Sequence, residues 1–370
     1  MTKNRYNSIE LFAGAGGLAL GLEMAGFTTR ALVEIDKHCC ETLRANRKNY
    51  FPKAKIFERD ITELDPSEIL KKCRMGKEAV TLIAGGPPCQ GFSIAKTSKG
   101  GRHVDDPRNS LFLHFARFVR EIKPPIFLME NVPGLANMER GQVVEYILKH
   151  FHDLGYSVNH KILNAADFGA PQLRKRIFLL GFRGERMLRF PNPSHSPERH
   201  NLLGLKPYRT IRETFAELTP DMPNQEMPKH TAKKRQRLAG IKAGSSWQGW
   251  HFRDTFDRPS RTITGHCRDD WVHPVEHRAG TVREMAALQT YPHDYVFKGP
   301  IMALNYVKFN FQYRQVGNSV PAILAKAIGE SIIRQVQKVP KSDPKHAEQA
   351  SSRIEVAQLV RTEQARLSIA

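Results

Sequence analysis

The feature that most constrains the fold is a regular alternation of short apolar runs and amphipathic stretches over the first 182 residues. This alternation predicts an α/β fold, an open and mostly parallel sheet with helices on both faces. In such a sheet, ligands bind beyond the carboxyl ends of the strands. The predicted strands are 8–13, 29–34, 80–84, 126–130 and 176–182, and the predicted helices are 17–25, 38–46, 111–122 and 143–154.

From residue 183 to about 280, periodicity fades and proline, histidine and arginine become frequent. This stretch holds 18 lysines and arginines against 11 acidic residues, and all three tryptophans of the chain. It predicts a small loop-rich domain with a basic, aromatic surface, or else an insertion whose tryptophans form a minor core. Further helices are predicted at 282–288, at 322–336 and, in the tail, near 354–367. The predicted domains are 1–182 (catalytic and cofactor-binding, completed by 301–338), 183–300 (small domain) and 339–370 (polar C-terminal tail).

The charge balance indicates a polyanionic partner. The chain has 57 lysines and arginines against 37 acidic residues, a net charge of +20, and neutralising phosphates releases condensed counterions. Its five cysteines are scattered, which argues against disulfides and zinc and for reduced thiols. The sequence has neither a membrane-spanning apolar run nor a secretory signal, so we predict a cytoplasmic location.

A glycine-rich turn follows the first predicted strand. Gly14, Gly16 and Ala19 loosely fit a dinucleotide-binding fingerprint, and Glu34 lies at the end of the next strand. A carboxylate there could accept hydrogen bonds from both hydroxyls of a ribose. Asp60 could accept one from an adenine amino group. These residues suit a nicotinamide dinucleotide and S-adenosylmethionine equally well.

The strand at 80–84 ends in Gly-Gly-Pro-Pro-Cys-Gln-Gly-Phe-Ser, which contains Cys89. A lone cysteine after a strand is more often an inert core thiol. Here the neighbouring prolines and glycines are poor choices for a core strand, so we interpret Cys89 as a reactive thiol. The following residues, 91–106, are rich in glycine and basic residues and are typical of a mobile lid.

Two further strand ends carry charged groups. Glu130 closes a nearly continuous apolar strand, where burial would raise its pKa and make it a competent proton donor. Arg174 and Arg176 precede another apolar strand, and their alternation predicts guanidinium groups on one side, facing an oxygen or a phosphate.

Four short sequence motifs occur along the chain in this order: Gly-Pro-Pro-Cys-Gln-Gly-Phe-Ser, Glu-Asn-Val, Gln-x-Arg-x-Arg and Gln-Val-Gly-Asn-Ser-Val-Pro. Together they resemble the motif set of the DNA cytosine-5 methyltransferase family of the bacterial restriction-modification type, over about residues 8–182 and 281–335. Glu10 stands where that family usually has aspartate. The resemblance implies a Rossmann-like methyltransferase sheet that binds S-adenosylmethionine, and a target recognition domain organised by residues 281–292.

The resemblance also implies a mechanism on double-stranded DNA. Carbon 5 of cytosine is a weak nucleophile until a thiolate adds to carbon 6, and the base must leave the helical stack to be reached. Cys89 is then the nucleophile, Glu130 the group at ring nitrogen 3, and Arg176 the donor to the base oxygen, with Arg174 nearby. The implied cofactor contacts are Phe12, Gly14, Gly16, Leu18, Glu34, Ile35, Asp60, Ile61, Pro87, Leu111, Asn318 and Ser319, and the implied DNA contacts are Gln90, Ser93, Lys96, Arg102 and Arg108.

Three alternatives remain at this point: an NAD-dependent oxidoreductase, a tRNA cytosine-5 methyltransferase, and a DNA-binding protein with an inactive site. The tRNA branch carries a Cys-Phe-Thr signature that this sequence lacks. We expect a nucleoid-associated monomer whose functional partner is a cognate restriction endonuclease.

Overall fold

The computed structural model describes residues 6–88, 110–197, 204–302 and 311–337. Its centre is a seven-stranded sheet in the order β3-β2-β1-β4-β5-β7-β6. All neighbouring strands are parallel except β7, which is antiparallel to both β5 and β6. The predicted α/β fold is therefore confirmed. The strands are β1 (Tyr6–Leu11), β2 (Phe27–Glu34), β3 (Lys55–Glu58), β4 (Val80–Gly85), β5 (Ile126–Asn131), β6 (Tyr156–Asn164) and β7 (Lys175–Arg183).

Helices cover both faces of this sheet. Alternate residues of β2 belong to different core clusters: Ala31 and Val33 pack with α3, α4 and α5, whereas Leu32 packs with α1 and α2. This follows from the two-residue period of a strand, which sends successive side chains to opposite faces. The helices are α1 (Gly17–Ala25), α2 (Lys37–Tyr50), α3 (Pro66–Cys73), α4 (Ser110–Ile122) and α5 (Gln142–Asp153).

The sequence did not predict β3, β6 or α3. Strand β3 has four residues with a charged residue at each end, and β6 is polar and partly exposed along most of its length. Both lie at the edges of the sheet, where only part of the strand is buried. The apolar run that marks a central strand is therefore missing from their sequences.

The region after β7 contains short elements joined by loops. A three-stranded sheet has the order β10-β11-β12, and β8 pairs with β9. Trp271 is buried in the core cluster that also contains residues of α1 and α2, whereas Trp247 and Trp250 are exposed. The elements are β8 (His195–Ser196), β9 (Lys206–Pro207), α6 (Ile211–Phe215), α7 (Ala232–Ala239), β10 (Ser246–Trp247), β11 (Trp250–Arg253), α8 (Cys267–Asp270) and β12 (Trp271–Val272).

The last described elements are α9 (Val282–Leu288), α10 (Gln312–Asn318) and α11 (Ala322–Gln337). Residues of α9 and α10 pack in the same core cluster as α1 and α2. Contacts group the chain into two compact units, one ending at Ser331 and one beginning at Ile332. Among the helices that the structure describes, none is long and apolar enough to cross a membrane. The domain boundaries and the tail helix stay predictions, and the tail lies outside the described residues.

Candidate active site

A cavity of about 650 Å³ lies at the carboxyl ends of β1, β2, β4 and β5. This is the position at which open α/β sheets bind ligands. Two of the predicted cofactor contacts, Gly16 and Pro87, are not part of its lining. The other ten line it: Phe12, Gly14, Leu18, Glu34, Ile35, Asp60, Ile61, Leu111, Asn318 and Ser319.

The turn after β1 fits its surroundings closely. A Cβ atom on Gly17 would lie 2.4 Å from the carbonyl oxygen of Val320, so only glycine leaves room at the start of α1. Phe12 has a φ of 57°, a left-handed conformation that is unfavourable for an aromatic residue. The hydroxyl of Tyr295 donates a 2.6 Å hydrogen bond to the carbonyl of Ala15. Contacts from distant parts of the chain therefore fix the shape of this turn.

The Glu34 carboxylate is held by backbone N–H groups. It accepts hydrogen bonds from Gly14 at 2.7 Å, from Ile35 at 3.0 Å and from Asp36 at 2.9 Å. Burial raises the pKa of Glu34, and these hydrogen bonds oppose the shift. A carboxylate has room for about four hydrogen bonds, so Glu34 can still accept one from a ligand.

Acidic groups dominate the charged residues of the cavity. Glu10 is buried, and its Oε2 atom has no hydrogen-bond partner among the described residues. Burial raises the pKa of Glu10 well above its usual value, and the nearby carboxylates raise it further. The described lining contains five carboxyl groups and a single arginine: Glu10, Glu34, Asp36, Asp60 and Glu130, with Arg59.

Glu130 and Arg176 form an ion pair beside the cavity. Glu130 lies opposite Phe178 in the β5–β7 ladder, and Arg176 is two residues from Phe178 and hence on the same face. Arg176 Nε lies 3.1 Å from Glu130 Oε1, and the two side chains are only 14% and 13% exposed. Burial raises the pKa of Glu130, and the positive charge of Arg176 partly opposes this.

The segment that leads to Cys89 packs against the same strand. A Cβ atom on Gly86 would lie 2.8 Å from Glu130 Oε2. The Asn131 side-chain amide donates a 2.9 Å hydrogen bond to the Pro87 carbonyl. The structure thus places the residues just before Cys89 beside Glu130. Six of the predicted site residues lie outside the described part of the chain: Cys89, Gln90, Ser93, Lys96, Arg102 and Arg108.

Arg174 has different surroundings from Arg176. It is fully buried, and its guanidinium donates hydrogen bonds to the carbonyls of Ile263 and Gly317. Burial lowers the pKa of Arg174 to about 9, which still leaves the group charged at neutral pH. This geometry ties the segment before β7 to two distant parts of the chain.

Sequence reasoning assigned no role to several lining residues, among them Glu10, Arg59, Thr62 and Gln315. Of these residues, only Glu10 could have been identified from the sequence pattern. It is a carboxylate within the apolar run Ile-Glu-Leu-Phe, and the same pattern had indicated Glu130. The other three lie in loops or in a helix, where nothing local indicates that they line a cavity.

The sequence profile described as C-5 cytosine-specific DNA methylase matches residues 6–334. The chain belongs to this family. It is therefore a DNA (cytosine-5-)-methyltransferase, as the four motifs predicted, and the NAD-dependent alternative is wrong.

Relatives of this methyltransferase span most of its length. It is 38% identical to the type II methyltransferase M1.HphI of Haemophilus parahaemolyticus, over 88% of this chain and 86% of the relative. It is 34% identical to M.Eco47II of Escherichia coli, over 92% and 82% of the two chains. Among solved structures, a DNA modification methyltransferase encoded within an E. coli prophage superposes with a TM-score of 0.66. That structure is 25% identical and covers 90% of this chain and 100% of its own.

Proposed function

We propose that this methyltransferase transfers a methyl group from S-adenosylmethionine to carbon 5 of a flipped-out cytosine in a short double-stranded DNA sequence, through a covalent adduct with Cys89. The observation that carries the choice of methyl donor is the carboxyl-rich lining of the cavity, with five carboxyl groups and one arginine among the described lining residues. When bound, S-adenosylmethionine supplies an electrophilic methyl group on a positively charged sulfur.

The acidic lining fits this ligand and disfavours a dinucleotide. S-adenosylmethionine carries a sulfonium and an ammonium group against one carboxylate, whereas the pyrophosphate of a dinucleotide would find a single arginine among five carboxyl groups. Glu34, already oriented by three backbone N–H groups, would accept a hydrogen bond from a ribose hydroxyl. Asp60 would accept one from the adenine amino group, beside Ile61. Asn318 and Ser319, which also line the cavity, would complete the site.

The chain's own residues would activate the cytosine. The Cys89 thiolate forms a bond to carbon 6, and the electron pair of the 5,6 double bond moves towards carbon 5 and nitrogen 3. Glu130 donates its proton to nitrogen 3 as that charge develops. When the methyl group has passed from the sulfonium sulfur to carbon 5, S-adenosylhomocysteine is left. A base then removes the proton from carbon 5, the 5,6 double bond reforms, Cys89 leaves as thiolate, and nitrogen 3 returns its proton to Glu130.

The environment of Glu130 suits this role. Burial raises its pKa and favours the protonated form that can donate to nitrogen 3. Arg176 holds the carboxyl group in place and would donate to the base oxygen. Arg174, whose hydrogen bonds go to backbone carbonyls, would position the segment that carries Arg176.

The biological setting is proposed from the relatives, which are named as type II methyltransferases. By this analogy the protein protects host DNA against a cognate restriction endonuclease. It would act as a monomer, in the cytoplasm at the nucleoid. The net charge of +20 supports binding to the DNA backbone, and the predicted lid and its flanking residues would contribute Gln90, Ser93, Lys96, Arg102 and Arg108.

The direct test uses labelled S-adenosylmethionine with unmethylated plasmid and with tRNA in parallel, followed by sequencing of methylated cytosines. We expect label in DNA alone, at carbon 5 of cytosine within one short sequence. Label in tRNA alone would identify the RNA-modifying branch instead. Incorporation into neither substrate would contradict the proposed activity.

A further inference from the structure

Two exposed tryptophans lie at the tip of the β10–β11 hairpin. Trp247 and Trp250 pair across its two-residue turn, and both turn residues, Gln248 and Gly249, have positive φ. Such a turn brings the strands together tightly. The two side chains are 38% and 69% exposed, and every residue from 242 to 250 is exposed. Large aromatic side chains clustered in solvent are typical of a binding surface.

Hydrogen bonds from one buried arginine hold the base of the hairpin. The buried Arg253 guanidinium, at the end of β11, donates hydrogen bonds to the carbonyls of Leu238, Ile241, His273 and Glu276 at 2.7 to 3.0 Å. These bonds join α7, β11 and the segment after β12. Five donors in a fixed fork make arginine well suited to such a junction. The exposed tip is therefore presented on a preorganised support, as a recognition element requires.

Further hydrogen bonds support the hairpin at Asp254, the residue directly after β11. Buried Trp271 donates from Nε1 to the Asp254 carboxylate at 2.9 Å, and Ser260 donates to the same carboxylate at 2.8 Å. Ser260 in turn accepts, at its backbone carbonyl, a 2.7 Å hydrogen bond from the Leu173 N–H. Leu173 is the neighbour of Arg174 in the Gln-x-Arg-x-Arg motif. A short chain of contacts thus joins the hairpin to the strand that carries Arg176.

Positive charge surrounds the tip. The Arg237 guanidinium lies 4.5 Å from the ring centre of Trp247, and Arg258 and Arg261 lie over the ring of Phe252 at 5.9 and 4.9 Å. Residues 232–261 include eight lysines and arginines but only two aspartates, and one of these is the buried Asp254. An exposed aromatic tip with a basic rim matches a partner that offers bases between phosphates.

We propose that this hairpin enters the major groove of the DNA and that Trp250 reads the bases beside the target cytosine. The proposal rests on the proposed function. A two-stranded ribbon fits the major groove, where base edges and the thymine methyl group are distinguishable. The Trp250 indole offers an apolar edge and one N–H donor, while the surrounding arginines contact phosphates and set the position of the hairpin.

The experiment compares Trp250→Ala and Trp250→Phe with two controls. Tyr146→Ala removes another exposed aromatic side chain, 52% exposed on α5. Lys233→Ala removes an exposed positive charge from α7. For each variant, dissociation constants are measured for a duplex with the mapped methylation site and for an unrelated duplex of equal length. The methylated sites on a plasmid are sequenced, and thermal unfolding checks the fold.

We expect Trp250→Ala to bind the cognate duplex about ten- to a hundredfold more weakly, with little change for the unrelated duplex, and to methylate a broader set of sites. Trp250→Phe should lie between it and the wild type, Lys233→Ala should weaken both duplexes alike, and Tyr146→Ala should behave as the wild type. An unchanged set of sites, or equal weakening on both duplexes, would overturn base reading by Trp250.

A measurement on the unmodified protein provides a second test. Acrylamide quenches the fluorescence of exposed tryptophans, here Trp247 and Trp250, whereas Trp271 is buried. Cognate DNA should reduce the quenching of the two exposed tryptophans. No protection at saturating DNA would overturn the proposal. Failure of the wild type to methylate DNA would instead refute the proposed function, so the two failures are distinguishable.

Discussion

The Asn131 side-chain amide donates a 2.9 Å hydrogen bond to the carbonyl of Pro87. Asn131 ends β5 directly after Glu130, and Pro87 lies two residues before Cys89. This one bond therefore couples the segment of the proposed nucleophile to the strand of the proposed acid. Loss of this bond should be costly in free energy, because both partners are buried away from water that could replace it.

Replacing Asn131 tests this coupling. Asn131→Ala should lower the rate constant of methyl transfer about ten- to a hundredfold, since a small displacement of a reacting group has an effect of that order. The dissociation constant for S-adenosylmethionine should stay within about twofold of the wild-type value. Single-turnover kinetics and calorimetry measure the two quantities. Asn159→Ala, which removes a similar amide-to-carbonyl bond from β6 to Leu188, is the matched control and should leave both unchanged.

The pH dependence of methyl transfer tests Glu130. A carboxyl whose pKa is raised by burial keeps its proton to higher pH, and the rate should fall as pH rises through that raised pKa. Glu130→Gln should be slower by about two to three orders of magnitude and should lack this fall. In Arg176→Ala the rate of methyl transfer should begin to fall at a higher pH than in the wild type, because the arginine charge lowers the Glu130 pKa. A Glu130→Gln variant with the wild-type profile would contradict the assignment, and exposed Glu145→Gln is the control.

Cofactor affinity tests Glu34. We expect Glu34→Ala to weaken S-adenosylmethionine binding by about 1.5–3 kcal/mol, the range for hydrogen bonds to a charged group. Isothermal titration calorimetry without DNA measures this change. Glu58→Ala is the matched control, since Glu58 pairs with Glu34 across the β2–β3 ladder but does not line the cavity. Equal losses in both variants would point to a general effect on the sheet.

The close contact at Gly17 predicts a steric effect. A Cβ atom there would lie 2.4 Å from the Val320 carbonyl, so Gly17→Ala should push residues 318–320 away from the cavity. We expect a loss of about 1–3 kcal/mol in the free energy of unfolding and weaker binding of S-adenosylmethionine. Urea denaturation measures the first effect. Gly134→Ala adds the same methyl group where nothing lies within 4 Å, and a comparable loss there would refute the steric explanation.

The sequence predicted the centre of the molecule better than its edges. Strands β1, β2, β4, β5 and β7 are marked by apolar runs because both faces of the sheet are covered. The site followed from the rule that parallel strands place their carboxyl ends together. Edge strands β3 and β6 were not predicted, because their residues are only partly buried and their sequences resemble those of loops.

Long-range contacts were beyond sequence reasoning. The hydrogen bond from Tyr295 to Ala15 joins residues 280 positions apart, and no local pattern encodes such a pairing. Composition likewise placed three tryptophans in one region but did not distinguish buried Trp271 from exposed Trp250. Burial depends on which surfaces meet after folding, and this information lies in the whole chain.

The most direct test of the account uses a duplex with 5-fluorocytosine at the mapped methylation site. Fluorine cannot leave carbon 5 as the proton does, so the bond between the cysteine sulfur and carbon 6 should persist after methyl transfer. Wild-type protein with S-adenosylmethionine should give a protein–DNA complex that survives denaturing electrophoresis, and Cys89→Ser should give none. Wild-type rates of methylation by Cys89→Ser, or no trapped complex from an active wild type, would contradict the covalent mechanism.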